Sequence, residues 1–311
     1  MSQLRAVCGI LLLDKPIGLS SNAALQRVRR ILRADKAGHV GSLDPLATGM
    51  LPICLGEATK VAGEILSGRK LYRFVVGLGS RTATGDMEGD VVETAPVPPL
   101  EQARIEAVLA SFLGLQRQIP PMYSAIKRGG QPLYKLARAG IEVEREPRDI
   151  QVFDLPLLSF DAGSVEIEAL CSKGTYIRTL AEDIARALGT CGHVTALRRV
   201  HVEPFEGEPM ETLESIVERV AGGHKLRILA ADRPLQHLPA VSLDATVAPK
   251  LLHGQSVPTP GGGVEGKVRL YDAAGIFLGL GETDGQGNVR PKRLFVSNET
   301  PGPDAVAPRG D

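Results

Sequence analysis

The sequence predicts an α+β fold in two parts, and three observations carry that prediction. The chain has 311 residues, 43% of them hydrophobic, which at roughly 100 to 200 residues per domain gives about two domains, each with its own core. From residue 9 to 233, helical stripes of period 3.6 interleave with strands of period two. Beyond Pro239 the texture changes to short strands and glycine turns, as expected of a small, separate β domain.

In chain order, Gly9 to Leu13 reads as a buried strand that runs into a turn at Asp14, Lys15, Pro16 and Gly18. Ser20 or Ser21 can cap a helix whose apolar stripe is Ala24, Leu25, Val28, Ile31 and Leu32 and whose other face is Arg27, Arg29, Arg30 and Arg33. The stretch from Ala34 to Gly49 has no period and is punctuated by Gly38, Gly41, Pro45 and Gly49, so it reads as a long loop. A strand at Leu51 to Leu55, a helix at Glu57 to Leu66 and a strand at Leu71 to Leu78 follow, with Tyr72, Phe74 and Val76 on one face. After a turn and strand from Gly85 to Glu93 and a proline joint at Pro96 to Pro99, Leu100 to Leu113 shows a helical stripe of Ile105, Val108, Leu109 and Phe112. Strands are expected at Ile150 to Phe160 and Val165 to Cys171, and a helix at Thr175 to Leu188 with Gly189 as its C-cap. One more helix falls between Glu203 and Arg233, then strands at Val264 to Tyr271, Ile276 to Glu282 and Val289 to Val296, and a frayed tail from 299 to 311.

Composition narrows the function. Four cysteines form no C-x-x-C pair, which points away from zinc knuckles and redox dithiols and toward a reducing, cytoplasmic setting. The apolar run near the start is too short for a signal peptide or a membrane span. Net charge is zero, with 36 basic and 36 acidic side chains. Its distribution is uneven: residues 1–60 hold eight basic and four acidic groups, 127–148 six and three, and 171–201 five and two. Such segregation is expected of a one-sided basic surface that binds a polyanion, or of clustering on solvated helix faces.

The chain has no Walker A motif, no G-x-G-x-x-G, no G-x-S-x-G and no H-E-x-x-H, and its six histidines do not pair at metal-ligand spacing. What remains is the loop Gly38-His39-Val40-Gly41-Ser42-Leu43-Asp44-Pro45-Leu46-Ala47-Thr48-Gly49. Pro45 holds Asp44 out of helical geometry, so a loop presents the carboxylate. By spacing alone Asp44 is either a turn former or a functional acid.

This loop, continued through Met50-Leu51-Pro52-Ile53-Cys54-Leu55-Gly56-Glu57-Ala58-Thr59-Lys60, closely resembles the signature of the TruB family of tRNA pseudouridine-55 synthases. Further blocks of that family fall in order at Leu12-Leu13-Asp14-Lys15-Pro16, Lys70-Leu71-Tyr72, Ile119 to Lys127, and Cys171 to Thr179, so that the resemblance runs from about residue 8 to 298. It implies a pseudouridine synthase-like, mainly antiparallel sheet with flanking helices over 1–238, an RNA-gripping thumb insertion at about 124–149, and a PUA-like RNA-binding barrel over 239–298. Asp44 matches the catalytic aspartate, Tyr72 the tyrosine at the target base, Arg178 the arginine paired with the aspartate, Tyr176 and Leu197 its pocket neighbours, and His39 the histidine that holds the RNA loop open. Lys15, Lys60 and Lys173 within the blocks, and Lys127 and Arg138 in the thumb, are expected at the RNA, with Arg290, Lys292 and Arg293 as contacts of the small domain. Val40 and Ser42 depart from the commonest family pattern but only flank Asp44.

The implied reaction breaks the N1 to C1′ bond of a uridine, turns the base and joins C5 to C1′. No atom is gained, so neither a cofactor nor a metal is expected. An ionised Asp44 would serve as nucleophile or as base, and Arg178 within about 4 to 6 Å would lower its pKa by roughly 1 to 3 units. Flipping the uridine costs a few kcal/mol, and stacking on Tyr72 returns about 1 to 3 kcal/mol. The expected partner is the T-stem-loop of tRNA, bound by a monomer away from any membrane. Alternatives are a guide-dependent synthase inside a ribonucleoprotein and a tRNA-folding chaperone with incidental chemistry.

Overall fold

The structure is a computed structural model that describes residues 7–259 and 265–295. In chain order it contains β1 (Gly9–Lys15), α1 (Ser21–Leu32), β2 (Ala37–His39), β3 (Thr48–Leu55), α2 (Ala62–Ser67), β4 (Lys70–Leu78), β5 (Ser80–Thr82), β6 (Val91–Thr94) and α3 (Gln102–Ser111). Then come β7 (Gly114–Gln118), β8 (Lys127–Arg128), β9 (Gln131–Pro132), α4 (Leu133–Arg138), β10 (Arg148–Asp154), β11 (Leu157–Phe160), β12 (Ser164–Cys171), α5 (Ile177–Ala187), β13 (Gly192–Val202) and α6 (Leu213–Ala221). The last are β14 (Ala240–Ser242), α7 (Ala248–Leu252), β15 (Val257–Pro258), β16 (Gly266–Tyr271), β17 (Phe277–Thr283) and β18 (Asn288–Leu294).

A nine-stranded sheet runs β1-β3-β13-β4-β12-β10-β7, with β2 attached to β3 and β11 to β12. All its pairings are antiparallel except β3 with β13. Alternation along β1 and β3 feeds two cores. Leu11, Leu13, Leu51, Ile53 and Leu55 face a core shared with α1, α5 and α6, whereas Ile10, Leu12, Met50 and Cys54 face a second that also takes in Ile65, Phe205 and Leu280. Burial on both faces explains why this part of the sequence reads as an unbroken apolar run.

Leu280 belongs to the second sheet, ordered β14-β16-β17-β18-β15, which has a small core of its own around Leu251, Val268 and Leu270. The two sheets therefore share apolar contacts, reinforced by Lys267 on Glu64 at 2.8 Å and by Lys60 Nζ donating to the Leu294 carbonyl at 2.6 Å.

Several elements differ from expectation. The segment 57–66 divides into a 3-10 turn at Gly56–Val61 and the short α2. The expected strand 150–160 breaks at Pro156 into β10 and β11. The eleven-residue β13 at the centre of the sheet was not expected at all, because register shifts near Thr195 and Val200 interrupt its alternation and a fully buried arginine, Arg199, lies within it. The outer residues of the expected strands at Val264 and Val296, and the tail 299–311, lie outside the described residues.

Candidate active site

The loop between β2 and β3 is ordered by anchors at almost every residue. Leu43, Leu46 and Ala47 are buried in the main core. Ser20 caps α1 through the Ala23 N–H at 3.1 Å, which leaves Ser21 to bind the loop: its hydroxyl donates to the Leu43 carbonyl at 3.0 Å and accepts from the Leu43 N–H at 2.7 Å. The Gly18 N–H and the Lys15 ammonium both donate to the Pro45 carbonyl, at 2.8 and 3.3 Å. Gly49 ends the loop at φ +100°, where a Cβ would stand 2.1 Å from the Arg199 carbonyl oxygen, so only glycine allows β3 to approach β13 this closely.

Held in this way, the Asp44 side chain stays 40% exposed while its carboxylate meets Arg178 Nε at 3.0 Å. Arg178 starts α5 and is 5% exposed; its other nitrogens donate to the carbonyls of Thr84 at 2.6 Å and Tyr123 at 2.7 Å. Nε also faces the buried carboxylate of Asp86 at 3.7 Å. One guanidinium thus joins the Asp44 loop, the β5–β6 turn and the segment leading to α4. The sharing alters the expected electrostatics. Withdrawal from water pushes the Asp44 pKa above the usual carboxylate value; Arg178 and Lys15 oppose that rise, and Asp86 adds to it. Arg178 lowers the Asp44 pKa, as a neighbouring cation should, but desolvation outweighs it.

Tyr72 on β4 is half-buried against the main core, on the face shared with Phe74 and Leu197. Burial raises its pKa, with Asp44 and Cys171 adding to the rise and the Arg199 guanidinium opposing it. Tyr176, the residue before α5, is fixed through its backbone by Gln118, and burial raises its phenol pKa within the field of Asp44 and Arg178. His39 ends β2, where burial and then Arg199 lower its pKa, favouring the neutral ring.

Not every expected site residue faces the cleft. Lys15 is completely buried, and its ammonium donates to the carbonyls of Pro16, Leu19 and Pro45. Burial lowers its pKa to about 8, against the pull of Asp44. In this structure its ammonium is taken up by loop carbonyls, not presented at the surface as a phosphate contact would be. Lys60 is held by Glu57 and by the Leu294 carbonyl, so it joins the two sheets instead of projecting toward RNA. Lys127, Arg138 and Lys173 are exposed, as phosphate contacts require, and Arg138 lies over the Tyr134 ring at 5.8 Å. Arg290 and Lys292 both pair with Glu282. In the positive segment 171–201, Arg178 and Arg199 are interior, while at the surface Arg186 is paired with Asp183 and Arg198 with Asp14, so these four add little to an unpaired basic patch.

Two polar residues of the site were missed in the sequence. Asp86 lies in a turn with little periodicity, bridged onto β13 at Val194. Arg199 follows Arg198 directly, and two adjacent arginines on a strand point to opposite faces, but that signal could be used only once β13 was known to be a central strand.

The mixed sheet thus sets an aspartate loop opposite an arginine at the start of α5. A solved Cbf5–Nop10–Gar1 complex matches with a TM-score of 0.69 at 25% identity, over 94% of this chain and 85% of that one. Residues 29–177 match the TruB family pseudouridylate synthase N-terminal domain, 178–236 the tRNA pseudouridylate synthase B C-terminal domain, and 239–295 the pseudouridine synthase II TruB C-terminal model. The tRNA pseudouridine synthase B of Chromohalobacter salexigens is 50% identical over 92% of this chain and 94% of its own length; that of Nitrosococcus oceani is 50% identical over 93% and 95%. The chain belongs to the TruB family.

Proposed function

We propose that this chain isomerises uridine to pseudouridine at position 55 in the T-loop of tRNA, acting alone and through Asp44. The observation that carries the reading is the Asp44–Arg178 pair at 3.0 Å, with the aspartate side chain partly exposed and the arginine buried behind it. A carboxylate in that setting is aimed at an incoming ribose, and the guanidinium stabilises its charged form when substrate excludes water. The same side chain serves as nucleophile at C1′ or as base at the 2′ position.

Tyr72 supplies a ring on which the flipped base stacks, in the electrostatic range of Asp44. Tyr176 and Leu197 shape the pocket, and His39 helps hold the RNA loop open. Lys127, Arg138 and Lys173 meet phosphates, in keeping with their exposure. Residues 1–238 form the catalytic domain, with a thumb at about 124–149, and 239–298 a PUA-like RNA-binding domain. Support for tRNA over a guided substrate comes from the names of the relatives at 50% identity.

The test is release of tritium from C5-labelled uridine in an unmodified tRNA transcript, with no guide RNA or partner protein. Wild-type chain is expected to release one tritium per transcript, and Asp44→Asn none while binding tRNA within about threefold of wild type. Absence of release by the wild type, or turnover by Asp44→Asn, would refute the proposal.

A further inference from the structure

Arg199 heads the fully buried side chains, at 1% exposure, and forms no ion pair among the described residues. Its partners flank the aspartate loop and reach the tyrosine: Nε donates to the Met50 carbonyl at 2.7 Å, an Nη to the Gly41 carbonyl at 3.0 Å, and the side chain also hydrogen-bonds Tyr72. Across the sheet it lies directly opposite Tyr72 on one side and Gly49 on the other. A guanidinium stays charged when buried, and at low effective dielectric that charge reaches its neighbours. Tyr72, His39, Lys15 and Lys70 all have their pKa values drawn downward by it.

A merely structural pin would not need this charge. Well-packed apolar residues commonly match or exceed a buried ionic group in stability. The other groups that act on Tyr72 are Cys171 from β12 and Asp44 from its loop, and both oppose ionisation of the phenol. Arg199 is thus the cation in this set that offsets them.

We infer that Arg199 is a positioning residue for the isomerisation, tying both ends of the Asp44 loop to β13 and setting Tyr72 against a fixed positive charge. The inference rests on the function proposed above for Asp44 and Tyr72, but it concerns a residue that need not touch the substrate. Loss of Arg199 lets the loop and the tyrosine move independently, so the damage falls on turnover and not on tRNA binding.

The experiment compares Arg199→Lys, Arg199→Met, Tyr72→Phe and the Arg199→Met/Tyr72→Phe pair in the full chain. Turnover is measured on the tRNA transcript, and Tyr72 ionisation by ¹³C NMR of the tyrosine ring, with Tyr72→Phe assigning the signal. Arg199→Met is expected to lower kcat about 100-fold with KM changed less than threefold, and Arg199→Lys to recover about tenfold of that loss. In the Tyr72→Phe background the Arg199→Met loss should shrink about tenfold, since the two side chains act as a unit. The Tyr72 titration midpoint should rise by about one pH unit in Arg199→Met.

Additive losses in the double variant with an unmoved midpoint overturn the inference, as does a rise in KM at constant kcat. If Arg199→Met does not fold, Gly41→Ala decides through the Tyr72 midpoint: a Cβ there stands 3.1 Å from an Arg199 Nη and pushes the guanidinium from the loop side, while its φ of +70° strains the loop and lowers kcat by itself. A raised Tyr72 midpoint supports the inference, and an unmoved midpoint overturns it. The midpoint needs no turnover, so a wild-type chain inactive on tRNA would sink the proposed function while this test still reads Arg199.

Discussion

Arg178→Met tests the centre of the site most severely. The substitution keeps an unbranched apolar chain on α5 but removes four contacts: the Asp44 carboxylate at 3.0 Å, Asp86 at 3.7 Å, and the carbonyls of Thr84 and Tyr123 at 2.6 and 2.7 Å. The dominant loss comes from Asp86, whose side chain is buried and would lose its only cation among the described ion pairs. Breaking a buried pair by removing one partner destabilises by about 3 to 5 kcal/mol. Asp86 keeps the Thr84 hydroxyl at 2.5 Å and the Glu88 N–H at 3.1 Å, which places the expected loss near about 3 kcal/mol, at the lower end. Asp44 adds little to stability, because the desolvation of its carboxylate offsets its attraction to Arg178. Urea unfolding at neutral pH reads the first effect, as a lower midpoint with an unchanged slope. The second effect is on the pH dependence of kcat/KM. Asp44 already has a raised pKa, and loss of the cation raises it further, so the acid limb of the profile moves to higher pH. A stability loss below about 1 kcal/mol, or an acid limb that stays in place, would refute the shared-arginine reasoning.

Three further outcomes follow from the same geometry. In the wild type, the acid limb of kcat/KM should lie above the ordinary carboxylate value of 3.8, because protonation of Asp44 removes activity as pH falls through its raised pKa; a limb below 3.8 would contradict this. Gly49→Ala, which sets a Cβ against the Arg199 carbonyl in a left-handed backbone, should lower stability by about 3 kcal/mol or more by thermal unfolding, and a loss under about 1 kcal/mol would show that β3 and β13 can part without penalty. Lys15→Met and Lys127→Glu should separate scaffold from surface: the first lowers the unfolding midpoint and leaves the salt dependence of tRNA binding unchanged, whereas the second leaves the midpoint alone and weakens binding with a flatter dependence on log salt.

Much of the active loop was legible in the sequence because its determinants are local. Pro45 fixes the backbone at Asp44, Ser20 caps the next helix through a residue three positions on, and the apolar stripe of α1 repeats within one turn. The family blocks placed Asp44 and Arg178 in one site, and the two side chains do meet. β13 was not legible. Its pattern is interrupted by register shifts, and its pairing with β3 and β4 reaches partners more than a hundred residues away.

The residues that changed meaning are those whose partners are distant in sequence. The sequence by itself determined β1, α1, β3 and β4, the loop that presents Asp44 and the family, but not β2 within that loop segment, because the former depend on periodicity, turn residues and contiguous motifs. Only the tertiary structure decided that Lys15 faces carbonyls and not phosphates, that Arg178 divides itself between two aspartates, and that Arg199 meets Gly41 and Met50 across 158 and 149 residues. A charge in a sequence has a sign but no depth. Whether it binds an anion in water or organises a buried loop depends on desolvation, which is a property of the packed fold.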